Sequence, residues 1–493
     1  MGFSLFPVTG FPLWATIVLV GVDLLIRIVA LGWIPNKRKP SVALGWLVAI
    51  FFIPYVGILA FLLFGSAKAP RPRREKQTEI NRYIRELSGG GAIAADADDL
   101  PEYVRTAAQL NYTLGTLPLL GGNSFELLPD SHQCMRLMAA DVDRAQEYVH
   151  FEFYIVSLDP ATKELIEALL RAHQRGVKVR ILIDHVGSLG YPGYKELVRL
   201  LDSAGIPWRR MLPVRPWRLE YQRPDLRNHR KLLVVDGACA YTGSQNIIHR
   251  SYNKPGNLRR GLEWLDLMVR TEGPIVAALN AVFITDWYSE TEQILFDEFD
   301  TRLPEELSAD GISQVVPSGP GFELENNLRL FNHLIYNANE RIVICSPYFV
   351  PDESIMHALT TAALSGVEVR LYVGETGDHT ITHLAQCSFY EELMRAKVRI
   401  FLYHAPVVLH SKFILVDDDV AVIGSSNMDE RSFAMNFEIS LMIADEGFVS
   451  RMYQLEESDY RPNCEELTLE RWVSRPLAKR YFENVARLTS ALL

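Results

Sequence analysis

Cysteine is scarce in this chain, five residues in 493, and the five lie far apart with no CxxC spacing. That argues against a disulfide framework and against a cysteine-based zinc centre. Cys239 and Cys345 sit inside apolar runs and read as buried, reduced thiols, which suit a catalytic part on the cytoplasmic side of a membrane. A basic balance is also missing: 50 Lys and Arg against 60 Asp and Glu, net −10. A broad nucleic-acid-binding face is therefore not expected. Residues 1–10 hold no Lys or Arg and no small-residue cleavage site follows, which argues against a secretory signal peptide. HExxH is absent, and the one HxxxH, His379 and His383, has no third ligand nearby, so no metal is assigned to it.

Charge is absent altogether from Val42 to Phe64, 23 residues. As one helix this run would extend about 34 Å, enough for a hydrocarbon core of about 30 Å. Phe11 to Trp33 is apolar apart from Asp23 and Arg27, four apart on one helix face. Ile34 to Pro40 is a polar turn between them. The expectation is a two-helix membrane hairpin over residues 1–65. Lys68, Arg71, Arg73, Arg74 and Lys76 follow it, five basic residues against three in the turn. The positive-inside rule then leaves the N-terminus and the bulk of the chain in the cytoplasm, with the basic cluster beside anionic headgroups. Residues 66–115 read as a basic juxtamembrane segment and linker, with Pro70, Pro72 and the Ser88–Gly91 run.

What is present is a motif, twice. His229-x-Lys231-x₄-Asp236 is followed by Gly243-Ser244-x-Asn246, and the same residue types recur at His410, Lys412, Asp417, Gly424, Ser425 and Asn427. Every matched position is 181 residues from its counterpart. Around each copy the texture is alternating β and α. Leu119–Leu128 looks like a hairpin, Cys134–Ala145 and Thr162–Gln174 like helices, and Tyr148–Val156 and Gly176–Ile183 like strands. The strands return near Val343–Val350 at an offset of 194 and Gly366–Val373 at 190. The expected fold class is α/β: two duplicated domains, 116–315 and 316–493, forming a pseudo-twofold bilobal catalytic unit.

On a strand, residues i and i+2 share a face, so His229 projects with Lys231 and His410 with Lys412. Two imidazoles, two ammonium groups and the amides of Asn246 and Asn427, with Ser244 and Ser425 beside them, suit a tetrahedral oxyanion. The lysines and asparagines would hold non-bridging phosphate oxygens. One histidine would attack phosphorus while the other serves as acid and base. Lysines beside both histidines oppose a metal there. Asp236 and Asp417, at strand ends, suit anchoring more than proton transfer. Upstream, Arg209, Arg210, Arg215, Arg218, Arg223 and Arg227 interleave with Trp208, Trp217 and Tyr221, a pattern suited to a phosphate-rich membrane surface.

The paired motifs resemble those of the phospholipase D superfamily. The whole chain resembles its bacterial cardiolipin synthases, through Ile34-Pro-Asn-Lys, Ile53-Pro-Tyr-Val-Gly57, Phe64-Gly65, both HxK motifs and Asp429-Glu-Arg431-Ser432…Asn436-Phe-Glu438. The resemblance implies a multi-pass protein of the bacterial cytoplasmic (inner) membrane, a phosphohistidine intermediate and no cofactor. It also implies phosphatidylglycerol as the anionic phospholipid partner, with no nucleic acid. It makes His229, Lys231, Asp236, His410, Lys412 and Asp417 the catalytic set, with His229 as nucleophile; the residues alone do not break that symmetry. It further implies acids that orient the opposite histidine, here Asp266 and Glu438. Aligning Leu267-Met268 with Leu441-Met442 leaves that last equivalence loose. A water-accepting hydrolase and a non-catalytic lipid scaffold are the alternatives.

Overall fold

A computed structural model describes residues 12–490 apart from 37, 67, 88–92, 95–96, 216–219, 296–297, 299–308 and 378. Lys37, the Ser88–Gly91 run, Trp217 and Arg218 thus lie outside the described residues. The chain divides into two compact units, Met1–Ala69 and Pro70–Leu493.

In the first unit Leu13–Trp33 is a helix, with Asp23 and Arg27 paired at 3.0 Å as their spacing predicts. Among the described residues it is the one helix long and apolar enough to cross a membrane. The Val42–Phe64 run does not form the single helix expected of it. It breaks into Pro40–Phe52 and Pro54–Phe64, because Pro54 lacks an amide hydrogen and its ring drives Ile53 out of the helical region, to φ −135° and ψ 72°. The second piece folds back on the first: a Cβ on Gly57 would lie 2.8 Å from the Ile50 Cα, and Phe61 meets Trp46 edge to face at 5.5 Å. Neither piece, at about 20 Å and 17 Å, spans a bilayer alone.

The second unit is built on one sheet that runs through two lobes. In the first lobe Lys178–Asp184 lies parallel to Tyr148–Phe153, and Lys231–Val235, Cys239–Gly243 and Met268–Glu272 follow antiparallel. The second lobe repeats this with Glu368–Gly374, Arg341–Cys345, Phe413–Val416, Val420–Gly424 and Asn436–Ala444. Val149 faces Val235 as Ile342 faces Val416. The first-strand offset is therefore 193, one less than the apolar echo suggests, and on a strand one residue reverses the faces.

Leu119–Leu128 is not a hairpin but one ten-residue strand that joins the lobes. Residues Ser124–Leu128 pair with the first lobe, and Leu120 and Asn123 pair with Gly311–Ser318. Gly122, at φ 79°, bends the strand where Asn123 donates to the Leu120 and Gly311 carbonyls. The stretch read as linker also folds. Arg71–Leu87 is a helix whose Arg73 forms a buried ion pair with Glu290 at 2.5 Å, so this arginine is not free for headgroups. Glu102–Gly115 sends Val104, Ala107 and Ala108 into the core of the second lobe.

The motif glycines are set by backbone crowding. A Cβ on Gly243 would lie 2.3 Å from the Leu267 carbonyl oxygen, and one on Gly424 2.3 Å from that of Ile439. Gly424→Ala is expected to push the Asn436–Ala444 strand outward and cost about 1–3 kcal/mol, as overpacking does. Thermal or denaturant unfolding would register the loss.

Candidate active site

The lobes meet through two short parallel pairings. Arg227–Asn228 runs beside Asn436–Phe437, and Glu263–Leu265 beside Val407–Leu409. They lock the backbone just before each histidine: the His229 amide donates to the Phe437 carbonyl and the His410 amide to that of Leu265, both at 2.9 Å. Each histidine is therefore placed by the lobe it does not belong to.

The side chains cross in the same way. His229 Nδ1 lies 3.0 Å from Glu438 Oε2 and 3.0 Å from the Ser425 carbonyl oxygen. His410 Nδ1 lies 2.6 Å from Asp266 Oδ1. A carbonyl oxygen only accepts, so the Ser425 contact places a hydrogen on Nδ1 of His229, and the ionised Asp266 does the same for His410. In both rings Nε2 makes no hydrogen bond among the described residues.

The loose equivalence of Asp266 and Glu438 becomes a strict one. Met268 pairs with Gly243 and Ser440 with Gly424, which puts each acid two residues before the partner of its motif glycine. The offset here is 172, because the connection after the second motif is nine residues shorter than that after the first.

Ser244 and Ser425, expected at the phosphate, serve these acids instead. Ser244 Oγ donates to Asp266 Oδ1 at 2.7 Å and accepts from the Leu267 amide at 2.9 Å. Ser425 Oγ donates to Glu438 Oε2 at 2.5 Å and accepts from the Ile439 amide at 2.9 Å. Both are fully buried.

Lys231 and Lys412 reach back over their own turns, donating to the His229 and His410 carbonyls at 2.6 and 2.5 Å. Asn246 is engaged on both sides: its Oδ1 accepts from the Ile155 amide, and its Nδ2 donates to the Tyr252 hydroxyl at 2.8 Å. Among the described residues Asn427 has no counterpart of the Tyr252 contact, and its Oδ1 is buried without a hydrogen-bond partner.

Electrostatics separate the two halves. Burial alone would push Asp266 up, but His410, Lys412 and Ser244 outweigh it and hold this carboxyl down at about 2. Burial wins at Glu438, raising it to about 7 despite Lys231 and Ser425. Burial lowers both histidines. At His229 the charges of Lys231, Lys412 and His410 lower it further; at His410 Lys412 also lowers it, while Asp266 pulls back upward. Burial also brings Lys412 down to about 8 and Lys231 well below its ordinary value.

Two expectations are corrected on geometry. Asp236 and Asp417, grouped with the catalytic set, stand at the far ends of their strands, in left-handed backbone at φ 52° and 49°. The Asp236 carboxylate accepts from the amides of Gln146, Glu147 and Tyr148 at 2.7–2.8 Å, and Asp417 from those of Asn339, Glu340 and Arg341 at 2.8–2.9 Å. They tie the motif strand to the start of its neighbour. The Arg-rich run is also less free than its composition suggests: Arg227 is buried against Asp184 at 3.1 Å, and Arg223 is paired with Asp225. Sequence reasoning missed Tyr154, whose ring meets His229 edge-on at 4.9 Å, and Tyr252, 6.4 Å from His410. No pattern marks either tyrosine.

A duplicated α/β fold with two histidines, each oriented by an acid from the opposite lobe, defines a phospholipase D-type protein. The family model described as cardiolipin synthase, PLD-like domain, matches residues 138–287 and again 331–459, one match in each lobe. A second, phospholipase D-nuclease N-terminal, matches 25–66. The chain is 34% identical over 485 residues to cardiolipin synthase A of Serratia proteamaculans (strain 568), covering 96% of this chain and 97% of that one. With cardiolipin synthase A of Proteus mirabilis (strain HI4320) it shares 32% over 478 residues, covering 95% and 96%. The crystal structure of a phosphatidylserine synthase from Haemophilus influenzae Rd KW20 superposes with a TM-score of 0.59 over 79% of this chain and 100% of that one. At 15% identity that likeness concerns the fold alone. The chain belongs to the cardiolipin synthase family of the phospholipase D superfamily.

Asp236→Ala removes three charge-assisted backbone bonds and is expected to cost about 3 kcal/mol of stability. Turnover per folded molecule should stay near that of the parent, as an assay normalised to folded protein would show.

Proposed function

We propose that this protein is a membrane-anchored phosphatidyl transferase, which joins two phosphatidylglycerol molecules into cardiolipin and releases glycerol. The observation that carries the reading is the crossed pair of histidine–acid contacts, with both Nε2 atoms left for reaction. It is supported by the family, by relatives of nearly the same length named cardiolipin synthase A, and by the apolar helix Leu13–Trp33.

The inequality between the acids gives the histidines different work. His229 is buried beside a glutamate that is half protonated near neutrality, and two lysines disfavour its charge. It therefore stays neutral and acts as nucleophile, with the Nε2 lone pair attacking phosphorus. His410 faces a fully ionised Asp266, which stabilises its imidazolium, so it gives its proton to the departing glycerol oxygen. The phosphorus–oxygen bond to glycerol breaks as the bond to His229 forms. His410, now neutral, takes a proton from the hydroxyl of a second phosphatidylglycerol, whose oxygen displaces His229. The anionic phosphodiester would restore full charge to Lys231 and Lys412, which stabilise the charge gathering on its free oxygens. The site supplies the nucleophile, acid, base and countercharge from its own side chains. The catalytic unit is placed in the cytoplasm, on the count of basic residues flanking the apolar segments.

Purified protein in phosphatidylglycerol vesicles is expected to yield cardiolipin and glycerol in equal amounts. Phosphatidic acid as the main product would instead mean that water is the acceptor. His229→Ala and His410→Ala should each abolish product while keeping the fold, as circular dichroism would show, with earlier unfolding because each leaves a buried acid without its partner.

The pH profile carries a sign. Activity should rise as His229 loses its proton and fall, on the alkaline side, as His410 loses its own. Asp266→Asn removes the charge that raises His410, so the alkaline limb should move to lower pH and kcat should drop by about 10²–10⁴. An unmoved limb would take Asp266 out of this role.

A further inference from the structure

The C-terminal helix Leu477–Arg487 is mounted with its polar side inward. Glu483 is buried and paired with Arg475 at 2.6 Å, and Arg475 stacks on the Trp472 ring. Arg480 and Arg487 reach Glu391 and Glu392 of the helical segment beneath, at 3.0 and 3.1 Å. Pointing the other way are Leu477, Tyr481, Phe482, Val485 and Leu488, with Leu477 79% exposed and Leu488 84%. Soluble helices bury the apolar stripe and expose the charged one. Here the arrangement is reversed, and a ridge of five large apolar side chains in water is a standing cost.

The helix that carries the ridge is linked to the reactive end of the second lobe. That helix packs against Thr380–Cys387, which adds the exposed Ile381. Gln386 of that helix accepts the Phe349 amide at 2.9 Å, and Phe349–Val350 pairs with Met428–Asp429, directly after Asn427. The opposite ends of the strands, where Asp236 and Asp417 sit, are the far side of the unit.

We infer that the Leu477–Leu488 ridge is a membrane-docking surface, which seats in the headgroup–acyl boundary of a phospholipid bilayer and holds the cleft against it. The occupant follows from two observations. The chain carries its own apolar anchor, so a bilayer is present at high effective concentration. Tyrosine beside leucine and phenylalanine, with Lys479 unpaired at the flank among the described residues, matches the chemistry of interfacial helices. This rests on the proposed lipid substrate, whose acyl chains stay in the bilayer while its phosphodiester enters the site.

The test uses the full chain in vesicles of phosphatidylethanolamine and phosphatidylglycerol. Tyr481→Cys, in a Cys464→Ser background that removes the one cysteine not buried, would carry an environment-sensitive fluorophore. Asn337→Cys, at the far end of the strands, serves as the control. Docking predicts blue-shifted emission quenched by spin-labelled lipid at 481 and not at 337. Quenching at 481 by aqueous iodide alone would overturn it. So would self-quenching that grows with protein density, which would mean that a second copy covers the ridge. This readout is independent of turnover, so it stands or falls apart from the reaction assigned above. In a second measurement, the triple variant Leu477→Ser, Tyr481→Ser, Phe482→Ser should lose at least about five-fold in rate on vesicles and keep its rate on micellar short-chain phosphatidylglycerol. An equal loss on both would contradict the inference.

Discussion

The paired-motif site is held together by a crossed contact: Glu438 of the second lobe holds His229, and Asp266 of the first holds His410. The backbone makes the same exchange, since each histidine amide donates to a carbonyl of the other lobe. A lobe alone would carry a histidine with neither tautomer nor position defined. Duplication thus yields one site rather than two, and the buried glycine and serine of each motif exist to bring the acid strand close. Removing one member of such a buried pair costs more than the pair contributes, because the remaining charge is left without a partner.

The symmetry is broken behind the histidines as well as beside them. At an offset of 193 Glu152 corresponds to Cys345, and at 181 Arg230 corresponds to Ser411. Behind His229, Asn228 donates to Glu152 at 2.7 Å and Arg230 is paired with Asp286, in a buried and highly charged layer that Arg73 joins through Glu290. Burial and Asp286 push the Glu152 carboxyl well up. Behind His410 the layer is neutral: Tyr460 donates to Ser411 Oγ at 2.7 Å, and the Cys345 thiol faces the Ser411 carbonyl. Two histidines with the same motif therefore stand in different fields, the asymmetry on which the proposed division of work between them rests.

The chemistry was legible in the sequence because reactive residue types recurred at a constant spacing that packing does not demand. The duplicated α/β texture was legible for the same reason. What escaped depended on partners distant in the chain. A hydroxyl in GSxN cannot reveal that it faces an acid 22 residues on, nor Arg227 that it is consumed by Asp184, 43 residues back. Apolarity alone hid the break at Ile53-Pro54, where one proline outweighs 23 residues of uniform hydropathy. The hairpin expected at Leu119–Leu128 failed because Gly-Gly-Asn there bends a strand shared between lobes instead of reversing it.

The central claim, that His229 alone becomes covalently attached to the phosphatidyl group, can be tested by trapping it. Enzyme mixed with phosphatidylglycerol, quenched in alkali within a turnover and digested, should yield a phosphoramidate on the peptide containing His229 and none on that containing His410. A phosphoramidate on His410, or cardiolipin formed with no phosphoramidate at all, would contradict the account.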